Sequence, residues 1–241
     1  MDPRVSIIDK RLQSVKRIIA VASGKGGVGK SLVASSLALS LSKKGYAVGL
    51  LDLDLYGPSS HIILGVPINR FPEEEKGIIP PDVQGIKFMS LVYFTEDRPS
   101  PFRGLDISNI IIELLSITQW RNLDFLIIDM PPGIGDETLD VINLIKKGEF
   151  LIVTTPSKVS MGAVSKLLMI LKELQLPIIG IVENMIMTPS KYVKQHISCR
   201  GVPYLTEIAF DQHLEETIGN PTQLMKTTFM NDLDKIIDRI T

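Results

Sequence analysis

The sequence predicts an α/β fold, a doubly wound and mostly parallel sheet with helices on both faces. Three observations predict it. Short apolar runs alternate with helical patterns along most of the chain, as strands joined by crossover helices do. Some of those runs are almost continuously apolar, Phe125-Leu126-Ile127-Ile128 above all, the pattern of a strand buried on both faces. A glycine-rich loop from Gly24 to Gly29 also stands between an apolar run and a helical pattern.

The elements follow in order. Residues 1–17 read as an amphipathic helical lead-in, with Val5, Ile8, Leu12 and Val15 at helical spacing. Ile18-Ile19-Ala20-Val21-Ala22 reads as a buried strand, and a helix runs from Leu32 to about Lys44, where Gly45 stops it. Ala47-Val48-Gly49-Leu50-Leu51 is the next strand and ends in Asp52-Leu53-Asp54. Tyr56-Gly57-Pro58-Ser59-Ser60 then turns into a short helix. Residues 65–104 form an irregular, flap-like insertion broken by prolines and glycines. Within it, Glu73-Glu74-Glu75 reads as a solvated loop and residues 86–91 as its one clear strand. Phe94 to Arg103 reads as a flap of the kind that carries partner specificity. A helix follows over 105–118, then the strand 125–128, which ends in Asp129-Met130-Pro131-Pro132-Gly133-Ile134-Gly135-Asp136. Asp136-Glu137 is expected to cap the next helix. Strands are expected over 150–154, 177–182 (ending in Glu183-Asn184) and 203–208, with helices over 159–174 and 228–240. No internal repeat or low-complexity linker interrupts the pattern, so residues 1–241 are expected to form one domain.

Bulk properties narrow the function. Hydrophobic residues make up 44% and charged residues 22%, ordinary for a full globular core. The net charge of −1 gives no global attraction to nucleic acid or anionic lipid, and binding to neither is expected. One cysteine, Cys199, excludes an internal disulfide and a four-cysteine metal site within one chain, and fits a reducing compartment. There is no signal-peptide pattern at the N-terminus and no apolar stretch of membrane-spanning length, so a cytoplasmic protein is expected.

The glycine loop carries the chemistry. Gly24-Lys25-Gly26-Gly27-Val28-Gly29-Lys30-Ser31, followed by Leu32 at the helix start, has the strand–loop–helix context of a phosphate-binding P-loop. Glycines let backbone N–H groups turn inward around phosphate oxygens, and the helix N-terminus adds positive potential. Lys30 is placed to reach the β- and γ-phosphates and Ser31 to ligate Mg²⁺. The same glycines also fit a dinucleotide fingerprint, with Asp52 roughly 20 residues downstream as a ribose contact. Lys30-Ser31 at the helix start and a second acid-terminated strand at Asp129 favour a triphosphate–Mg²⁺ site instead. Asp52 and Asp54, two apart at a strand end, are expected to face the same way. One would hold Mg²⁺ through water, and the other would orient an attacking water. Asp129 is the expected Walker B acid, and Gly133 the backbone N–H placed to sense the γ-phosphate.

Together, Gly24 to Ser31, Asp52-Leu53-Asp54-Leu55-Tyr56-Gly57-Pro58-Ser59 and Asp129-Met130-Pro131-Pro132-Gly133-x-Gly135-Asp136 resemble the Mrp family of P-loop ATPases. Phe102-Arg103-Gly104, Trp120 and Glu183-Asn184-Met185 strengthen the resemblance. That family lies within the MinD/ParA/nitrogenase-iron-protein class and is often described as iron–sulfur cluster carriers. The resemblance implies a homodimeric, Mg²⁺-dependent ATPase with slow turnover. It implies that Lys25 reaches the partner's phosphates, Asp54 positions the attacking water, and Asn184 contacts the purine edge, a helix cap being the alternative for Asn184. It places Phe210 and Asp211 beside the base.

One departure stands out. Cluster-carrying members have a Cys-x-x-Cys soon after the Glu-Asn-Met segment, and here the pair is missing. A dimer would supply two thiolates where cubane clusters take four. His196-x-x-Cys199 keeps the spacing, and two chains could offer an N₂S₂ set for a cluster or zinc. A cluster carrier or scaffold, a MinD/ParA-like positioning ATPase and a regulatory switch that carries no cluster all stay open, and the client protein is unknown. The acidic residues Asp232, Asp234 and Asp238 of the last helix disfavour membrane insertion.

Overall fold

The structure is a computed structural model, and it describes residues 2–68, 71–95, 105–188 and 191–241. The elements are α1 (Pro3–Leu12), β1 (Val15–Ser23), α2 (Lys30–Lys43), β2 (Val48–Asp52), α3 (Ser60–Leu64), β3 (Glu73–Glu74), β4 (Ile78–Ile79), β5 (Asp82–Val83) and β6 (Ile86–Ser90). They continue with α4 (Val92–Thr95), α5 (Leu105–Ile117), β7 (Leu123–Asp129), α6 (Asp136–Leu144), β8 (Gly148–Thr154), α7 (Lys158–Glu173) and β9 (Ile178–Ile186). The last are α8 (Tyr192–Ser198), β10 (Tyr204–Ala209), a single 3₁₀ turn at Glu215–Thr217, α9 (Pro221–Leu224) and α10 (Thr228–Ile240).

An eight-stranded sheet runs in the order β10-β9-β8-β1-β7-β2-β6-β5. All its pairs are parallel except β5 with β6 at one edge. Helices cover both faces, as the alternating pattern predicts. The chain leaves β1 for β2 on one side and later crosses to β8 on the other, so β1 stands at the switch point where open α/β sheets bind ligands. Register brings three strand ends level there: Val21 lies opposite Asp129, and Asp129 opposite Asp52.

The central strands are buried because both faces are covered. Ile18 to Ala22, Phe125 to Ile128 and Phe150 to Val153 are all in the core. Trp120, one of the residues carrying the family resemblance, is a packing residue: a Cβ at Gly49 would come within 2.9 Å of its ring. The amphipathic α10 buries Phe229, Met230, Leu233, Ile236, Ile237 and Ile240. Polar ties fix it in place. Ser40 bonds Asp234, Lys44 pairs with Asp238 at 3.2 Å, and Arg17 donates to the Ile240 carbonyl while forking onto Glu149 at 2.8 Å.

Several expectations are corrected. Val15 opens β1 instead of closing the lead-in helix, because its pairing with Leu123 extends the buried strand backwards. Glu73 and Glu74 are exposed as expected but pair with Ile79 and Ile78 in a two-stranded ribbon. Residues 65–95 hold four short strands and the helix α4, not one strand. The rest of the expected flap, with Phe102-Arg103-Gly104, lies outside the described residues. Gly135, not Asp136, is the N-cap of α6; Asp136 and Glu137 occupy its first turn and make no side-chain cap bond. Their charge still suits the positive end of the helix. Among the described residues, no helix is long and apolar enough to cross a membrane.

Since Phe229 is 1% exposed between α10 and the sheet, Phe229→Ala is expected to lower stability by about 3–5 kcal/mol. Urea unfolding followed by circular dichroism checks this.

Candidate functional site

The loop after β1 is built by its glycines. Gly27 and Gly29 have φ of +76° and +83°, left-handed values that side chains disfavour. Gly24 lies so close to α7 that a Cβ would be 2.6 Å from the Ala163 carbonyl carbon. Gly29 is the N-cap of α2, so Lys30, Ser31 and Leu32 open the helix with free N–H groups. From Gly26 to Leu32, no backbone N–H donates to another group of the described residues. Seven consecutive donors at a helix N-terminus form an anion cradle.

Lys30 is the centre of charge. It is 5% exposed, and its Nζ lies 2.5 Å from Asp129 Oδ1, 3.4 Å from Ser31 Oγ and 3.8 Å from Asp54 Oδ2. Asp129 is fully buried, and its Oδ2 has no hydrogen-bond partner among the described residues. Asp52 and Asp54 diverge in role. Asp52 sits below the loop surface and accepts from the Asp54 N–H (3.0 Å) and the Ser60 N–H (3.1 Å). It shapes the turn, whereas Asp54 faces the cleft. The strand ends at Asp52, so strand alternation does not carry through to Asp54. Burial, then the neighbouring Asp129 charge, pushes the Asp52 carboxyl up to about 7, against the pull of Lys30 and the two N–H donors. Burial also raises Asp54, with Lys30 opposing.

Lys30, Ser31 and Asp54 line a cleft of about 390 Å³ together with Lys25, Pro132 and Glu215, with Asp52 and Asp129 buried out of its lining. Lys25 makes no ion pair among the described residues. Asp129 and Ser31 can serve a cation held by phosphate oxygens and water, since Asp129 Oδ2 is unspent. A larger hollow of about 680 Å³, lined by Val66, Phe71, Pro80 and Tyr93, lies away from these carboxylates. The cleft carries the anion cradle and the convergent charges, so it is the candidate site.

Other expected residues are placed differently. Gly133 (φ +85°) donates its N–H to the Ser23 carbonyl at 3.1 Å, so that donor is spent within the loop. Asn184 lies inside β9 and caps no helix. It is 2% exposed, and its Nδ2 donates to the Val28 carbonyl at 2.9 Å, which leaves one amide hydrogen and the oxygen for other partners. A Cβ on Gly29 would meet that Nδ2 at 2.3 Å. Phe210 is half exposed beside the end of β9, while Asp211 accepts from Thr228 and the His213 N–H. His196 stacks on Tyr192 in α8, and Cys199 is exposed at its end. No group of three or more His, Cys, Asp or Glu side chains among the described residues could hold a metal ion.

The sequence did not reveal Tyr204, whose hydroxyl donates to Glu183 Oε2 at 2.6 Å, nor Glu215 in the cleft. Both come from distant segments and carry no local signal. The helix α8 was also missed, being only seven residues long.

Comparisons with known proteins agree with this geometry. The model of the family described as ParA, NUBPL iron-transfer P-loop NTPase, matches residues 14–241. The iron-sulfur cluster carrier protein of Aquifex aeolicus is 41% identical over 197 residues, covering 80% of this chain and 54% of that protein. The chain thus spans little more than half of that relative's length. The iron-sulfur cluster carrier protein of Pyrococcus horikoshii is 35% identical, with 99% of this chain and 92% of that protein covered. Among solved structures, a nucleotide-binding protein from Archaeoglobus fulgidus in complex with ADP has a TM-score of 0.78 at 31% identity, covering 92% of this chain and 93% of that one. The septum site-determining protein MinD of P. horikoshii, with Mg-ADP, has a TM-score of 0.71 at 20% identity, covering 93% and 95%; it supports the fold alone.

The Asp52 carboxyl gives a pH signature. Its proton is held more tightly in the folded chain (about 7) than in the unfolded one (3.8). Its contribution to stability therefore falls as pH rises between those values. Asp52→Asn cannot titrate, so its stability relative to the parent protein is expected to improve as pH rises from 3.8 to about 7 and then level off. Urea unfolding of both proteins across that range measures the difference.

Proposed function

Because the chain belongs to the NUBPL iron-transfer family of P-loop NTPases, we propose that it is a Mg²⁺-dependent ATP-binding and ATP-hydrolysing homodimeric switch. The observation that carries this reading is the run of unspent N–H donors from Gly26 to Leu32, wrapped beside the Lys30–Asp129 pair. In this proposal the γ- and β-phosphates take Lys30 from Asp129. Asp129 is then a buried carboxylate without its cation, which is costly unless a new positive charge faces it. Ser31 and Asp129, the latter through water, would hold Mg²⁺, which neutralises developing phosphate charge. Asp54 orients the attacking water, and its raised affinity for a proton suits a group at the cleft wall. Asp52 holds the Asp54 loop in place. Lys25 acts across the dimer on the partner's phosphates, and its lack of an ion pair among the described residues supports that role. Asn184, Phe210 and Asp211 border the base.

Relatives named as iron-sulfur cluster carriers extend the reading to a carrier or scaffold of clusters. The residues present do not fit a cubane by themselves: one exposed thiol per chain gives a dimer two ligands of four. The single thiol favours a second reading, a nucleotide-driven switch that carries no cluster. A positioning role at a membrane is disfavoured, because the apolar face of α10 is spent on the fold.

Lys30→Ala is expected to abolish nucleotide binding, and Lys25→Ala to leave binding intact while slowing hydrolysis by about 10³-fold, by analogy with a cation supplied in trans. Calorimetry and phosphate release check both; full turnover by Lys25→Ala would refute the cross-dimer role. For the cargo, the carrier reading expects anaerobic reconstitution with iron and sulfide to load iron that Cys199→Ser cannot retain. Equal iron per dimer in both proteins would leave the switch without cargo as the function.

A further inference from the structure

We propose that the kinked end of β9 couples the nucleotide loop to the helix α8, with Glu183 as a positioning residue and the Tyr204 hydroxyl as its anchor. The inference rests on the nucleotide-site reading and adds a path out of that site.

Four observations converge on this short stretch. The first is a break in the ladder. Glu207 pairs with Glu183 and Ala209 with Ile186, so β9 carries one more residue than β10 across that step. The extra length sits at Asn184–Met185, and Met185 has φ +60°, a left-handed value that a long side chain rarely adopts. Such strain persists only where its surroundings enforce it, often at functional sites.

The second observation is what enforces it on the loop side. Asn184 donates to the Val28 carbonyl at 2.9 Å and fills the space that a side chain on Gly29, the N-cap of α2, would need. Any shift of Val28 or Gly29 moves Asn184 directly. The third lies on the other side of the strand. Neighbouring strand residues point to opposite faces, so Glu183 is turned away from Asn184. It is fully buried; its Oε2 accepts from Tyr204 at 2.6 Å, and its Oε1 has no hydrogen-bond partner among the described residues. A buried carboxylate satisfied on one oxygen only is held by that one bond, and losing it is costly.

The fourth observation connects the anchor to α8. The Lys194 ammonium lies 5.6 Å from the Tyr204 ring centre, and α8 packs on β10. Cys199 follows as the C-cap of α8, its N–H donating to the Gln195 carbonyl. The chain therefore runs from Val28 and Gly29 through Asn184 and Glu183 to Tyr204, Lys194 and the end of α8. Movement of the loop around phosphate would relax or tighten the Met185 kink. Glu183 would transmit that change to the face of β10 on which α8 rests.

Cys199 is the sole cysteine of the chain, so its alkylation by N-ethylmaleimide reads the state of α8 at one site. The alkylation rate is measured with and without Mg-ADP, in parallel with calorimetric titration of Mg-ADP. In the parent protein the nucleotide is expected to change the rate by about fivefold or more, the lower end of ordinary coupling. Tyr204→Phe removes one hydroxyl and keeps the ring. It is expected to bind Mg-ADP within about threefold of the parent while its thiol no longer responds. Glu183→Gln, which still offers an oxygen to Tyr204, is expected to keep part of the response. A purely structural role for Tyr204 would lower stability and leave the thiol response intact. That result overturns the coupling, as does a parent thiol that ignores bound nucleotide. Failure of Mg-ADP to bind at all overturns the nucleotide reading itself, and the calorimetry identifies that case separately.

Discussion

The contact between Lys30 and Asp129 is the constraint around which the rest is arranged. It joins the first residue of α2 to the last residue of β7 at 2.5 Å, in a place that water does not reach. A buried pair of this kind adds little net stability, since desolvating both charges offsets their attraction. Removing either partner is another matter, because the remaining charge is stranded. The sheet topology exists locally to make that contact: β7 lies beside β1, and their registers end level. Asp52, opposite Asp129 on the next strand, adds a second carboxyl to the same floor. Its raised pKa follows directly from sharing that buried space.

Close packing on both sides of the loop explains the glycines. A side chain at Gly24 would collide with α7, and one at Gly29 with Asn184. The loop is thus pinned on both flanks while its N–H groups stay unspent. Donors gathered in this way need only a small adjustment to receive charge, which is what makes them effective in a low-dielectric site. The binding energy is built in when the chain folds, as backbone strain and unsatisfied donors held against a rigid sheet.

How much of this was readable beforehand follows from the range of each signal. The loop, Lys30, Ser31 and the acid at Asp129 were legible because strand, turn and helix patterns are local and adjoin directly in sequence. The parallel sheet was legible from its continuous apolar runs. Val15 misled because its spacing from Leu12 and Ile8 also suits a helix, and only pairing with Leu123 assigns it to β1. Asn184 could be read as cap or contact until β9 was seen to extend through it. The division of labour between Asp52 and Asp54 depends on where β2 stops, which alternation does not say. Tyr204 meets Glu183 across twenty-one positions of sequence, and no periodicity marks such a pair.

The two sets of candidate groups differ in how firmly the fold holds them. The phosphate-facing set sits on the floor of the sheet, buried, mutually paired and fixed from several elements. The thiol and imidazole of α8 sit on a short helix at one end, the thiol exposed and neither, among the described residues, in a group of three or more side chains that could hold a metal. In the proposed cycle the first set holds the nucleotide with small adjustments and the second responds. The strained, bulged end of β9 lies between them and touches the loop through Asn184. A switch can lose a cargo ligand and keep its cycle, because the cycle depends on the sheet and the cargo only on the periphery. A missing Cys-x-x-Cys therefore bears on what the chain carries and leaves the nucleotide site untouched.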